Sequence, residues 1–373
     1  MTRYQDLGLR LGLLPPGPLN AITDVVGVTV GMATIIEGEG ALNVGKGPVR
    51  TGVTVIVPRV GVSEEPLFAG THTLNGNGQM TGLEWVRESG MLTTPIAITN
   101  THSVGVVHDA LIACEVRERG RPPAFFSLPV VAETYDGTLS DINGFHVHGE
   151  HVFAAVEAAS SGPVPEGNVG GGTGMICHEF KGGTGSASRV VNEWTVGALV
   201  QANHGERRRL MIDGVHVGEE IPTEEIPSAH DEEDRLEEAG AGSIIVIAAT
   251  DAPLLPHQLS RLAQRIGLGI ARVGGAGGDS SGDIFLAFST ANAGRMKSLY
   301  EPGESLESLG VDMLPGDAMT DLFWGVIEAT EEAIVNALVS ANTMVGRDGI
   351  TAHALPHDRL VEVMTKYRRG PDR

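Results

Sequence analysis

An abrupt change from charged to apolar side chains close to residue 243 constrains the fold of this chain more than any other feature. Residues 219–238 hold ten Asp/Glu and one Arg, whereas residues 244–250 form a run without charge. A short apolar run of this kind is typical of a strand that is buried on both faces. The acidic residues before it predict an exposed segment, and the strands on either side of that segment could pair in one sheet.

The overall charge and the two cysteines limit the partners and the compartment. The net charge of −21 argues against nucleic acid and anionic membrane surfaces, since both bind to basic surfaces. Cys114 and Cys177 do not make a disulfide framework, which favours a reducing compartment, and we expect both to be small buried side chains. The first ten residues lack the apolar core of a secretory signal, and the longest apolar runs are strand-sized. We therefore expect a cytoplasmic protein.

Strands and helices are both predicted, and strands come in adjacent groups as well as alternating with helices. Alternation indicates two half-buried strands at Val26, Val28, Val30 and at Val53, Val55, Val57. Loops are predicted at 37–52, 70–78 and 274–283, and residues 167–188 are dense in glycine. The other predicted elements are strands at 95–99, 125–133, 194–203, 244–250 and 284–290, and helices at 79–89, 104–118, 149–160, 255–270, 318–341 and from Pro356 onward. This order favours one layered α+β sandwich over residues 1–373 rather than a doubly wound sheet.

The peptide bond between Gly242 and Ser243 is a candidate for self-cleavage. Gly242 has no side chain to crowd the strained conformation that lets the serine oxygen reach the preceding carbonyl. Once freed, the α-amine of Ser243, with an ordinary pKa of about 7.7–8.0, could act as the base for the hydroxyl of the same residue. The alternative is an ordinary entry into a strand, in which Ser243 only hydrogen-bonds within the turn.

Several motifs that follow one another along nearly the whole chain resemble those of a single family. They are Pro18-Leu-Asn-Ala-Ile-Thr-Asp-Val25, Arg50-Thr-Gly-Val-Thr54, Glu133-Thr-Tyr-Asp-Gly137 with Asp141-Ile-Asn143, Gly242-Ser243-Ile-Ile-Val246, and Ser281-Gly-Asp283. The family is that of the L-aminopeptidase/D-amidase/D-esterase and the β-aminopeptidases, the DmpA/BapA-like self-processing N-terminal-serine hydrolases. Several motifs in the same order are far more specific than one short pattern.

The resemblance implies a fold, an activity and an assembly. The fold would be a four-layer αββα sandwich of the N-terminal-nucleophile type. The chain would cleave itself into a large subunit, 1–242, with an acidic C-terminal tail over about 219–242, and a small subunit, 243–373. The enzyme would release N-terminal residues from short peptides, amides or esters without a metal or other cofactor. It would form a homo-oligomer, in the family's manner a tetramer of processed heterodimers. The choice among β-, L- and D-configured residues stays open.

The resemblance also implies a role for individual residues. Ser243 would be the nucleophile, and Asn203 would donate a hydrogen bond to the oxyanion, a contribution of several kcal/mol in such sites. Tyr135 would lie near the same oxygen. Glu133 would pair with the free amino group of the substrate. The amine of the nucleophile would be oriented by Ser281 and Asp283. Some relatives carry Glu at the position of Asp283.

Other interpretations of the same residues remain open at this point. Tyr135 and Asn203 could cap turns at strand ends, Ser281 could form a turn, and Asp283 could begin a strand. The run from His146 to His151 could hold a metal ion, although it lacks a strong zinc spacing and a surface cluster of histidines is favoured.

Three other features allow different functions. The glycine loops at 170–174, 182–185 and 274–278 match neither dinucleotide-binding nor P-loop patterns, which favours close backbone packing over phosphate binding. A self-processed acyltransferase of the ornithine acetyltransferase type is disfavoured by serine at 243, because such enzymes usually use threonine. An unprocessed oligomer that binds a small ligand is the non-enzymatic alternative.

Overall fold

The computed structural model describes residues 1–122, 124–230, 242–297 and 307–371, so the second part of the acidic segment lies outside the described residues. The strands are β1 Thr29–Glu37, β2 Val49–Val57, β3 Leu67–Gly76, β4 Met91–Leu92, β5 Ile96–Asn100, β6 Val130–Thr134, β7 Ile176–Cys177, β8 Phe180–Lys181, β9 Gly183–Val191, β10 Trp194–Asn203, β11 Ser243–Thr250, β12 Gly282–Ser289, β13 Met344–Val345 and β14 Thr351–Ala352. The helices are α1 Leu83–Ser89, α2 Val104–Glu118, α3 Gly149–Glu157, α4 Val217–Glu220, α5 Pro256–Arg272, α6 Met319–Val339 and α7 His357–Lys366.

Two sheets form the centre of the fold. The four-stranded sheet has the order β1-β2-β5-β6, and the six-stranded sheet has the order β4-β3-β12-β11-β10-β9. In the six-stranded sheet β11 pairs antiparallel with β10 and parallel with β12. The strands before and after the acidic segment are therefore neighbours in one sheet, as the sequence predicted.

Helices cover the outer face of each sheet, so that the layers run helix, sheet, sheet, helix. One apolar core lies between α2, α3 and the four-stranded sheet, a second between the two sheets, and a third between the six-stranded sheet and α5, α6. The first core contains Val55 and Val107. The second contains Ile98 and Ile245, and the third contains Phe285 and Leu262. The predicted α+β class and the αββα sandwich are confirmed.

Strand β11 is buried on both faces because it lies in the middle of this sandwich. Ile245 and Ile247 face the core between the sheets, while Ile244 and Val246 face α5 and α6. Side chains alternate between faces with a period of two, so both sets must be apolar here. The uncharged run after Ser243 is thereby explained.

Glycine decides how closely α6 approaches the six-stranded sheet. A Cβ at Gly185 would lie 2.0 Å from the carbonyl oxygen of Ala333 in that helix. The glycine-dense residues 167–188 thus include the first part of β9. At Gly185 glycine allows close backbone packing, the use that the sequence favoured for the run 182–185, although the neighbour is a helix and not a strand.

Three predicted elements differ from the structure in their extent. Residues 70–76, predicted as a loop, belong to β3, whose polar second half is half-exposed but paired with β12 except at Leu74, where the register shifts. The helix predicted from 79 begins only at Leu83, after Gly82 in a left-handed conformation with φ 74°. The strand predicted over 125–133 begins only at Val130, where β6 starts. Helices α2, α5 and α6 agree with their predictions.

The acidic segment begins as part of the packed structure. Glu220 accepts hydrogen bonds from Lys366 and Tyr367 at the end of α7, and Glu225 pairs with Arg359 of the same helix. Residues 219–226 are thus held against the C-terminal helix. Residues 231–241 of the predicted tail lie outside the described residues.

Of the helices in the described ranges, none is long and apolar enough to cross a membrane.

Candidate active site

Ser243 lies at the first position of β11, between the ends of two other strands. It is paired with Asn203 at the end of β10 and with Gly282 at the start of β12. The backbone N–H of Gly282 donates to the Ser243 hydroxyl oxygen over 3.1 Å. The serine is 8% exposed, so its oxygen is held in place while it stays open to the cavity described below.

The backbone around Gly242 leaves no room for a side chain. Gly242 has φ 134°, a conformation that strongly favours glycine. A Cβ there would lie 2.4 Å from the carbonyl oxygen of Asn203 and 2.9 Å from the Cα of His204. The residue before Ser243 must therefore be glycine for β11 to enter the sheet at this position.

The side-chain amide of Asn203 is fixed by two backbone groups. Its Oδ1 accepts from the N–H of Ile176 over 2.8 Å, and its Nδ2 donates to the carbonyl oxygen of Tyr135 over 3.1 Å. An N–H only donates and a carbonyl only accepts, so these partners determine which end of the amide is oxygen. The second hydrogen of Nδ2 is then available to a developing oxyanion.

Glu133 is a buried carboxylate that is held on both oxygens. It is 3% exposed, its Oε1 accepts from the N–H of Gln79 over 2.9 Å, and its Oε2 accepts from the hydroxyl of Thr101. A carboxylate held in this way can accept a further hydrogen bond from an ammonium group. Tyr135, two residues on, is half-exposed and its ring lies against Gly137.

Ser281 and Asp283 form a pair beside the backbone of β11. The Ser281 hydroxyl donates to Asp283 Oδ2, and Asp283 Oδ1 accepts from the N–H of Ile244 over 3.3 Å. Burial raises the pKa of Asp283, while the hydrogen bonds from Ser281 and Ile244 oppose that rise. The described contacts of Asp283 reach the residue after Ser243 and not the Ser243 hydroxyl itself.

One cavity of about 810 Å³ brings most of the predicted residues together. Glu133, Tyr135, Asn203, Gly242 and Ser243 all line it. Ser281 and Asp283 line a separate, much smaller cavity that adjoins the first through His204. A hydroxyl, an amide donor and a carboxylate around one space of this size suit the attack on a carbonyl next to a free amine.

The histidines from His146 to His151 do not converge on a common point. His146 Nε2 lies 2.9 Å from Asp141 Oδ2, while His148 donates through its backbone N–H to His151 Nδ1. The two last rings stack on each other with centroids 5.8 Å apart. The alternative of a metal site in this run is therefore not supported.

Several residues of the site were not predicted from the sequence. The N–H groups of Ile176 and Gly282 and the hydroxyl of Thr101 carry no signal in the sequence, because any residue supplies a backbone N–H and threonine is common. Arg347, which lines the cavity from the far end of the chain, was also missed. Its Nε donates to the carbonyl of Gly137 over 2.7 Å.

Comparison with solved structures defines the class of protein. A β-aminopeptidase from Burkholderia sp. superposes with a TM-score of 0.89 at 52% identity, covering 98% of this chain and 99% of that chain. An L-aminopeptidase D-Ala-esterase/amidase from Ochrobactrum anthropi, described as a variant of the Ntn hydrolase fold, gives a TM-score of 0.87 at 45% identity, covering 99% of both chains. The fold is therefore that of an N-terminal-nucleophile hydrolase.

Sequence comparison then gives the family. The model of peptidase family S58 matches residues 20–352. The β-peptidyl aminopeptidase BapA of Sphingosinicella microcystinivorans is 50% identical over 376 aligned residues, covering 98% of this chain and 93% of that protein. The chain belongs to peptidase family S58. The family predicted from the sequence and its class of enzyme, a serine aminopeptidase, are confirmed, and an acyltransferase is not favoured.

Proposed function

We propose that this member of family S58 is a self-processing aminopeptidase whose nucleophile is Ser243 after cleavage of the bond to Gly242. The observation that carries the proposal is the single cavity shared by the Ser243 hydroxyl, the Asn203 amide and the Glu133 carboxylate. These three groups supply a nucleophile, an oxyanion donor and an anchor for an amine.

Self-cleavage would use the geometry at the start of β11. The Ser243 hydroxyl oxygen attacks the carbonyl carbon of Gly242, and the C–N bond between the two residues breaks. The hydroxyl proton passes to the new α-amine of Ser243, and an ester between Gly242 and the Ser243 oxygen is left. Water then hydrolyses this ester, which frees the carboxylate of Gly242 and the hydroxyl of Ser243. The products are residues 1–242 and 243–373.

Turnover of substrate would follow the same chemistry. Glu133 binds the substrate's ammonium group, and the free α-amine of Ser243 takes the proton of its own hydroxyl as that oxygen attacks the adjacent carbonyl. The second hydrogen of Asn203 Nδ2 donates to the oxyanion, with Tyr135 beside it. The leaving amine takes the proton, and water resolves the acyl-enzyme. Ser281 and Asp283 hold the backbone that carries the amine.

The substrate class is proposed from the relatives. Two proteins that share about half of their residues with this chain are named for action on β-peptides, and a third for L-aminopeptidase and D-Ala-esterase/amidase activity. We therefore propose short peptides, amides or esters with a free N-terminal amine, and β-residues first among them. A homo-oligomer of processed chains and a cytoplasmic location stay predictions of the sequence.

The test combines processing with activity. Purified protein should hydrolyse p-nitroanilides of a β-homoamino acid, L-Ala or D-Ala, and the panel ranks the three configurations. Ser243→Ala should stay one intact chain and hydrolyse none of them. Ser63→Ala, on the loop between β2 and β3, is the matched control and should process and turn over normally. A processed or active Ser243→Ala protein would overturn the proposal.

A further inference from the structure

Cys177, His178 and His204 form a buried cluster next to the site and on the opposite side of β10. One donor atom from each lies within 4.8 Å of the others, and no other such group occurs in the described ranges. Cys177 Sγ is 3.8 Å from His204 Nδ1, and the two imidazole rings meet edge to face with centroids 5.2 Å apart. The cluster faces α5, since Cys177 belongs to the core beneath that helix.

Two ring nitrogens of this cluster lack a hydrogen-bond partner although they are buried. His178 Nδ1 lies 3.1 Å from the carbonyl oxygen of Glu206, and a carbonyl only accepts, so Nδ1 carries the hydrogen. His178 Nε2 is then a bare lone pair without a partner, and His204 Nε2 also has none. Buried polar atoms are almost always satisfied, so such a pair of nitrogens needs an explanation.

We propose that Cys177, His178 and His204 bind a divalent metal ion of the zinc class. One thiolate and two imidazoles are the ligands that zinc prefers, and zinc–sulfur and zinc–nitrogen bonds of about 2.3 and 2.0 Å place tetrahedral ligand atoms roughly 3.5 Å apart. The 3.8 Å between Cys177 Sγ and His204 Nδ1 is already close to that separation. The hydrogen bond of His178 Nδ1 to a carbonyl is the outer contact that commonly orients a zinc-binding histidine.

Binding of the ion changes the protonation of one ligand. The S–H bond of Cys177 breaks, the sulfur–metal bond forms and one proton leaves to solvent, while each imidazole binds through a nitrogen lone pair.

A small cavity lies at the other edge of the His204 ring. With Nδ1 bound to the ion, His204 carries its hydrogen on Nε2, which faces Gly275 at the wall of this cavity. The cavity has a volume of about 30 Å³, enough for a water molecule that would accept a hydrogen bond from Nε2.

This site is separate from the proposed chemistry. The nucleophile, the oxyanion donor and the amine anchor face the large cavity, and none of them is a ligand of the ion. Activity therefore does not require the metal, in keeping with the metal-free mechanism that the family resemblance implies. Because His178 donates through its backbone N–H to the carbonyl of His204, the ion would instead stiffen the segment that follows Asn203.

The test is a metal titration of the purified full chain after treatment with a chelator. Cd²⁺ is the probe, because its thiolate complexes absorb in the near ultraviolet, and Zn²⁺ is the competitor. We expect one Cd²⁺ per chain, a thiolate band, and displacement by Zn²⁺. Cys177→Ser should lose the band. Cys114→Ser, the change of the chain's other free cysteine, on α2, is the matched control and should keep it.

A second variant covers the case in which Cys177→Ser fails to fold. His178→Gln keeps a side-chain donor for the Glu206 carbonyl but has no imidazole lone pair. It should weaken Cd²⁺ binding at least tenfold while the metal-free protein unfolds at the same temperature as the wild type. The proposal is overturned if no thiolate band appears at stoichiometric Cd²⁺, if Cys177→Ser binds as the wild type does, or if His178→Gln binds with unchanged affinity.

Discussion

Substitution of Asn203 separates the two roles that the structure gives to its side chain. The amide oxygen supports the backbone N–H of Ile176, while the amide nitrogen supports the carbonyl of Tyr135 and directs its second hydrogen to the cavity. Asn203→Ala removes all of these contacts. Asn203→Asp keeps an oxygen for Ile176 but replaces the donor with a second acceptor, which then faces the Tyr135 carbonyl.

The magnitudes follow from these contacts. Loss of one oxyanion donor costs about 10²–10³ in kcat, equivalent to about 2.7–4 kcal/mol in activation free energy. Loss of the partner of the largely buried Ile176 N–H costs about 1–3 kcal/mol in the free energy of unfolding for Asn203→Ala. Asn203→Asp should be at least as slow as Asn203→Ala, because it adds a negative charge where the oxyanion develops.

The assay must separate processing from turnover, since both need the same donor. Intact mass gives the fraction of each variant that is processed, and kcat on an amino-acyl p-nitroanilide is then normalised to that fraction. KM should change little, because Glu133 and not Asn203 holds the amine of the substrate. Urea unfolding of the same samples gives the change in stability.

Two results would refute this reasoning. If both variants keep kcat within tenfold of the wild type, Asn203 is not an oxyanion donor. If Asn203→Asp is faster than Asn203→Ala, the side chain acts through its oxygen and the support of Ile176, and its role is to position the backbone.

Three further predictions concern neighbouring residues. Glu133→Gln removes the charge that pairs with the substrate's ammonium group and should raise KM about 10- to 100-fold, as expected for a charge-assisted hydrogen bond, whereas a substrate without a free amine should be hydrolysed equally slowly by both proteins. Gly242→Ala should stop or greatly slow processing, because its Cβ would meet the carbonyl oxygen of Asn203 at 2.4 Å, and a mass spectrum that shows full cleavage contradicts this. Burial raises the pKa of Asp136 to about 7, so the folded state keeps a proton that the unfolded chain releases, and the free energy of unfolding should fall from about pH 4 to 7. Asp136→Asn should flatten that slope in urea unfolding, and an unchanged slope would show that other groups cause it.

The sequence was sufficient for the elements that bury a regular apolar face. Strand β11 is uncharged throughout, as expected for a strand in the middle of the sandwich. Helix α5 has its apolar residues on one face, and Leu259, Leu262 and Ile266 of that face are fully buried as predicted. The pairing of β10 with β11 across the acidic segment also followed from the two strand patterns.

Strands rich in glycine or polar residues could not be predicted in the same way. The second half of β3 is half-exposed and carries Thr, His and Asn residues. This composition is typical of a loop, although the backbone is paired with β12. In β9, Gly185 is needed because α6 packs so close that a side chain would not fit, and that helix is about 150 residues away in sequence.

The site was predicted through family motifs rather than through its geometry. Those motifs identified Glu133, Asn203 and Ser243, which share one cavity. The cluster of Cys177, His178 and His204 was missed, because β7 and the end of β10 meet only in the folded chain. The adjacent Cys–His pair was the one available signal.

Self-processing at Ser243 is tested most directly by the intact mass of the purified protein under denaturing conditions. We expect two chains, residues 1–242 and 243–373, with Ser243 as the new N-terminus of the smaller one. A single full-length chain in protein that is active on the p-nitroanilide panel would contradict it, because the unprocessed Ser243 has no α-amine to act as its base.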